Sequence, residues 1–126
     1  ALAMLEGMPP LRLGIFAQLI RMSLSRGRLE DARADAAAGM AELEALGGIG
    51  YMDLDLRLAV IEAHNTGGDT QAATAELRKA LYILRKRTAR ITDPTRRKHY
   101  LEKITENAWL RTLSRAQLGE DVEAQA

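Results

Sequence analysis

A glycine turn that recurs at a fixed distance is the feature that most constrains how this chain can fold. Gly27 begins the run GRLEDA, and Gly68 begins the run GDTQAA 41 residues later. In both runs an alanine, Ala32 or Ala73, follows the glycine by five residues. A period of about 20 to 50 residues is typical of repeat folds. The recurrence therefore predicts stacked helical repeats, an architecture that usually provides a binding surface.

Apolar residues spaced three and four apart predict six helices, and no stretch alternates strictly enough to predict a strand. Glycines at positions 27, 47–48 and 67–68 are expected to end the first three helices, because glycine readily leaves a helix through a left-handed backbone. Asp69 and Asp93 are suited to cap the fourth and fifth helices. A break near Thr105 is expected to separate the fifth helix from the sixth.

Short turns between amphipathic helices favour antiparallel neighbours. The predicted fold class is therefore all-α, with three antiparallel helical hairpins stacked as a fragment of a right-handed solenoid. One domain is expected over residues 11–118, preceded by an N-terminal extension or an artificial boundary at 1–10. Residues 119–126 are small, polar and acidic, so they are predicted to fray. The hairpins are expected at about residues 11–46, 51–91 and 94–117.

The hairpin pattern resembles tetratricopeptide repeats, in which two helices meet at a glycine-containing turn and pack through small residues of the second helix. Small residues five and twelve positions after the turn glycine match this pattern in both copies. They are Ala32 and Gly39 in the first copy, and Ala73 and Ala80 in the second. Small side chains at such positions allow neighbouring helices to approach closely.

The period of 41 residues is longer than the roughly 34 of ordinary tetratricopeptide repeats. Ile20 and Ile61 also occupy a first-helix position where a small residue is usual. The chain is more similar to the extended repeats of large bacterial regulators, and residues 91–107 resemble their last repeat. In those proteins the array follows an ATPase or cyclase module. The resemblance covers about residues 11–117 and implies the regulatory or scaffolding C-terminal part of a larger signalling or transcription-regulating protein.

The resemblance also implies recognition across a concave face built from the first helix of each hairpin. Such a groove binds an extended or helical segment through scattered polar contacts and without chemistry. The predicted partner is another protein or peptide segment, or an upstream domain of the same polypeptide. The candidate groove residues are Gln18, Arg21, Arg57, Glu62, Asn65, Tyr100 and Lys103.

A basic stretch supports a hypothesis from another class, a helical module that binds nucleic acid. Residues 78–103 contain ten Lys and Arg, and their only acidic residues are Asp93 and Glu102. Such a field attracts phosphate backbones or an acidic protein. A solvated helix face is favoured over both, because consecutive basic residues on a helix point in different directions and stacking aromatics are scarce. The residues that a nucleic-acid site would use are Arg85, Lys86, Arg90 and Arg97.

Self-association is a third hypothesis, because a fragment of a repeat array exposes apolar end surfaces that neighbouring repeats normally cover. Trp109 is the only tryptophan and lies beside the stripe formed by Leu110 and Leu113. We expect it to be half-exposed, which suits either core packing or an interface anchor. A homodimer is therefore an alternative to a module that binds another protein.

Several other functions find no support in the sequence. His64 and His99 lack the neighbouring ligands that zinc needs, and the glycine-rich run 47–50 lacks the Lys-Ser or Lys-Thr of a phosphate-binding loop. No serine lies in a nucleophile elbow, and no apolar run is long enough for a membrane span. We predict no enzyme activity, metal, cofactor or membrane contact. The lack of cysteine suits a reducing compartment, so the predicted location is the cytoplasm.

Overall fold

Six α-helices form the regular structure of the described residues. The computed structural model describes residues 9–50 and 52–122, with side chains from Arg12 onward, and these ranges contain no strand. The all-α fold class is thus confirmed. Among the described residues, none of the helices combines the length and hydrophobicity that crossing a bilayer would require. The helices are α1 (Pro9–Ser25), α2 (Leu29–Ala45), α3 (Asp53–Thr66), α4 (Thr70–Ala89), α5 (Pro94–Lys103) and α6 (Thr105–Gln117).

The two glycine turns predicted from the sequence share one backbone geometry. Gly27 and Gly68 have φ angles of 70° and 77°, in the left-handed region that glycine adopts without steric conflict. In each turn the glycine N–H donates to the carbonyl oxygen three residues earlier at 3.1 Å. The next N–H donates to the carbonyl five residues earlier, at 2.8 Å after Gly27 and 2.9 Å after Gly68. Both turns are therefore glycine helix caps of the same type.

Burial in the flanking helices follows the same period. Most residues that are buried in the first copy have buried equivalents 41 positions later. The equivalent buried pairs are Leu13 and Leu54, Phe16 and Arg57, Ala17 and Leu58, Ile20 and Ile61, Ala32 and Ala73, Ala36 and Leu77, Gly39 and Ala80, and Leu43 and Leu84.

The chain divides into two compact units, residues 1–73 and 74–126, so that the boundary falls inside α4 rather than at the end of a predicted hairpin. In the first unit α1, α2 and α3 all pack on one another. They pack tightly around Gly39, where an added Cβ would lie 3.0 Å from Leu56 Cδ1 and 3.1 Å from Phe16 Cβ. The core cluster consists of Leu13, Phe16, Ala17, Ile20, Ala32, Ala36, Leu43, Leu56, Ala59, Val60 and Ala63.

In the second unit α5 packs against α6. The two helices are separated at Ile104, whose φ of −84° and ψ of 117° are extended, next to the break predicted at Thr105. Asp93 caps α5 as predicted, because its side chain accepts the Thr95 N–H at 3.2 Å and Pro94 begins the helix. Helix α4 is amphipathic, and the residues it buries in this unit include Leu77, Ala80, Leu81 and Leu84.

Replacing Asp93 with alanine is expected to lower the free energy of unfolding by about 1 kcal/mol, because the first turn of α5 loses its acceptor. Urea denaturation followed by circular dichroism would measure the loss. The matched control is Glu102→Ala, an exposed acidic position of the same helix, which should change stability by less than about 0.5 kcal/mol. Equal losses in the two variants would contradict a capping role for Asp93.

The range predicted to fray, 119–126, includes two residues that are buried in the segment after α6. Asp121 and Val122 are only 6% and 7% exposed, and Arg111 and Arg115 of α6 donate hydrogen bonds to the Asp121 carboxylate. The sequence of residues 119–122 does not indicate that these arginines will contact Asp121, because the contact forms only in the folded chain. Residues 1–8 and 123–126 lie outside the described residues, as does Tyr51, where the sequence predicts the third helix to begin.

Candidate functional site

An ion-pair cluster joins α1 to α3 at two of the predicted groove residues, Arg21 and Glu62. Arg21 Nη1 donates to Asp55 Oδ1 at 2.7 Å, and Arg21 Nε donates to Glu62 Oε2 at 3.4 Å. Burial by itself lowers the pKa of Arg21, but the hydrogen bond and charge of Asp55, followed by those of Glu62, raise it overall. The cluster therefore holds a charged guanidinium at the surface shared by α1 and α3.

The same cluster contains an acceptor that nothing among the described residues satisfies. Glu62 Oε1 is buried, yet none of those residues donates a hydrogen bond to it. A buried acceptor is unfavourable until water or a partner supplies a donor. Arg21 and Glu62 also lie 41 residues apart, which is the period of the repeat.

The other three groove residues of the first unit differ in accessibility. Gln18, one turn before Arg21 in α1, and Asn65, near the end of α3, are both exposed. Arg57 is only 5% exposed, and its Nη2 donates to the Gly48 carbonyl oxygen at 2.9 Å. Arg57 therefore supports the connection between α2 and α3 and offers little surface to a partner. The repeat period predicts this burial, because Phe16 lies 41 residues before Arg57 and is buried as well.

The two remaining groove residues, Tyr100 and Lys103, lie in α5 of the second unit. Both border an open cleft of about 560 Å³, which Arg90, Arg96 and the exposed Ile104 also line. Small-molecule sites usually enclose most of their ligand, and a cleft this open does not. Its mixture of basic and apolar side chains suits contact with a larger molecule.

Two residues of the predicted basic patch are oriented by main-chain carbonyl groups. Arg85 donates from Nε and Nη2 to the Asp121 carbonyl oxygen at 3.1 and 2.5 Å. Arg97 donates from the same two atoms to the Ile91 carbonyl oxygen at 3.0 and 2.8 Å. These two guanidinium groups therefore serve local structure as well as contributing positive charge.

The other two residues of the basic patch have different surroundings. Lys86 Nζ lies 5.1 Å from the centroid of the Tyr82 ring, within the range of a cation–π contact. Arg90 is exposed. The four predicted residues thus do not form a uniform row of cations pointing at solvent.

A cluster that the sequence analysis missed surrounds Asp121. Arg111 Nε donates to Asp121 Oδ1 at 2.9 Å, and Arg115 Nε donates to Oδ2 at 2.7 Å. Burial by itself raises the pKa of Asp121, but hydrogen bonds from Arg111, from Arg115 and from the Val122 N–H outweigh it and lower the pKa to about 2. Asp121 is therefore a charged anchor for the segment after α6.

A second pair of arginines, from α4, holds the preceding residue. Arg78 Nη1 lies 2.7 Å from Glu120 Oε2, and Arg85 Nη2 lies 3.6 Å from Glu120 Oε1. Arg111 and Arg115 are four residues apart and Arg78 and Arg85 seven apart, so each pair shares one face of its helix. The spacing predicts that each pair of arginines lies on one helix face, but it does not predict which carboxylate they contact.

A search for groups of three or more His, Cys, Asp or Glu side chains that could hold a metal ion finds none in the described part of the chain. A scan against models of protein families finds no match, and searches of curated proteins and of solved structures find no similar chain.

Proposed function

We propose that this chain is a cytoplasmic helical-repeat module of the tetratricopeptide type that binds segments of other proteins. Its place would be the regulatory or scaffolding part of a larger bacterial signalling or transcription-regulating protein. The observation that carries the proposal is the contact between Arg21 and Glu62, equivalent residues of two copies whose turns and burial repeat every 41 residues. Repeats that stack in this way form a continuous surface from equivalent helices. The proposal includes no catalytic step, metal or cofactor.

The proposed architecture is a stack of antiparallel hairpins. Arg12 near the start of α1 lies 2.8 Å from Glu42 near the end of α2, although the turn that joins these helices is at their other ends. This pairing supports an antiparallel arrangement of α1 and α2. The small buried residues Ala32 and Gly39 support close approach between neighbouring helices.

The proposed binding surface is the one that α1 and α3 share. Arg21 provides a fixed donor, Glu62 provides a carboxylate side chain that is 24% exposed, and the amides of Gln18 and Asn65 can both donate and accept. An extended protein segment presents alternating N–H and C=O groups. A surface with both kinds of hydrogen-bonding group is therefore suited to a main chain.

Selection of short random peptides on the immobilised chain tests this proposal. We expect enriched peptides whose affinity falls roughly tenfold or more in the double variant Gln18→Ala/Asn65→Ala, because a few positions usually carry most of the binding energy. The matched control is Gln71→Ala/Gln117→Ala, which removes two exposed amides elsewhere. Failure to enrich any peptide, or equal binding by both double variants, would contradict the proposed surface.

Self-association is a second candidate, and it is favoured by the exposure of Trp109 at 49%. A large exposed aromatic side chain is a common anchor of protein interfaces. Light scattering over a range of concentrations distinguishes the candidates, since a dimer would form as the concentration rises. A chain that stays monomeric at high concentration would contradict self-association through Trp109.

Nucleic-acid binding stays a third alternative. Of its four predicted residues, Arg85 and Arg97 are held by carbonyl oxygens, which leaves Lys86 and Arg90 as the more available charges. Titration with duplex and single-stranded oligonucleotides at two salt concentrations tests it, because phosphate contacts weaken steeply with salt. Absent or salt-insensitive binding would remove this alternative.

A further inference from the structure

We propose that four arginines of the second unit form a receptor for acidic protein segments, and that residues 119–122 occupy it as an internal ligand. The receptor is called the arginine cradle here, and residues 119–122 are called the acidic segment. The inference does not depend on the surface of α1 and α3. The cradle consists of Arg78, Arg85, Arg111 and Arg115.

The contacts in the cradle are those of peptide recognition. Arg111 and Arg115 occupy both carboxylate oxygens of Asp121, and Arg78 pairs with Glu120. Arg85 donates twice to the main-chain carbonyl of Asp121, so it can fix the position of a peptide whatever side chain that residue carries. Charge-assisted contacts to side chains combined with hydrogen bonds to a carbonyl select an extended acidic peptide over a bare phosphate.

The acidic segment lies outside the helices, and one main-chain hydrogen bond, from the Glu120 N–H to the Ser114 carbonyl oxygen at 3.2 Å, joins it to α6. It follows the end of α6 at Gln117, and Gly119 turns the chain with a φ of 69°. Segments that lie outside helices and are held mainly by side chains open more easily than the core. Displacement by a competing segment is therefore a local event.

Part of the positive charge of the cradle is accessible to solvent. The side chains of Arg78 and Arg115 are each 58% exposed. An open cleft of about 180 Å³ also adjoins Val122 and is bordered by Arg85 and Arg97. A partner segment with two consecutive acidic residues and a further one beyond them would meet these charges. The internal ligand therefore acts as a competitor that keeps weakly acidic proteins from binding.

The test uses the full chain and a fluorescent peptide with the sequence of residues 118–123, LGEDVE, followed by anisotropy. The double variant Glu120→Gln/Asp121→Asn is expected to bind this peptide roughly tenfold or more tightly than the unchanged chain. The reason is that an attached segment competes at a high effective concentration, which the variant removes. The variant Glu120→Gln alone leaves Asp121 in place and should raise the affinity by a smaller factor.

Three comparisons make the result decisive. A peptide in which Gln and Asn replace the acidic residues should not bind, and adding Arg111→Gln to the double variant should abolish the gain. The groove variant Gln18→Ala/Asn65→Ala should behave like the unchanged chain, which separates this test from that of the proposed function. Equal binding by the double variant and the unchanged chain, with equal helical content, would overturn the proposal. Tighter binding of an oligonucleotide than of the peptide would also overturn it.

Discussion

Replacing Gly39 with leucine is expected to lower the free energy of unfolding by about 3 kcal/mol, in the upper part of the range for overfilled cores. A Cβ at this position would already lie 3.0 Å from Leu56 and 3.1 Å from Phe16, and both of those side chains are buried. The rest of a leucine side chain would force α2 away from α1 and α3. Urea denaturation followed by circular dichroism would measure the loss.

Ala38→Leu is the matched control for this change, because Ala38 is the preceding residue of α2 and is exposed. Leucine forms helix nearly as well as alanine, so this variant should change stability by less than about 0.5 kcal/mol. Gly39→Ala should fall between the two, since better helix propensity offsets part of the crowding. Equal stability of the two leucine variants would show that the helices do not approach as closely as described.

Replacing Asp121 with asparagine is expected to lower the free energy of unfolding by about 2 kcal/mol at neutral pH. The substitution keeps the volume of the side chain but leaves Arg111 and Arg115 without the carboxylate that they share. Asp31→Asn is the control, because Asp31 is an exposed residue of α2 and should contribute little. Thermal or urea unfolding of both variants would give the comparison.

The pH dependence provides a separate readout of Asp121. Its folded-state pKa of about 2 lies below the ordinary value of 3.8, so its contribution is fully present above about pH 4 and is lost as the pH falls toward 2. The unchanged chain should therefore lose more stability over this interval than Asp121→Asn does. Parallel acid curves for the two proteins would contradict the ion pairs around Asp121.

The repeat period predicts which candidate site residues are buried better than residue type does. Arginine is usually exposed, so residue type alone predicts that Arg57 lies at the surface. Phe16, which lies 41 residues earlier, is buried, and the period therefore predicts that Arg57 is buried too. The sequence predicts both Arg21 and Glu62 as groove residues, and these two residues lie one period of 41 apart. Most positions that are buried in the first copy are buried again 41 residues later, so the period indicates burial even where the residue type does not.

The sequence by itself determined the helices, the turns and the period of burial. Gly27, Gly68 and Asp93 act through backbone conformation and hydrogen bonds within a few residues, so their effects can be derived locally. Only the tertiary structure decided that Arg57 supports a connection and that residues 119–122 enter the arginine cradle. The reason is physical, since these contacts depend on how separate helices are placed in space, and that placement follows from the packing of the whole unit.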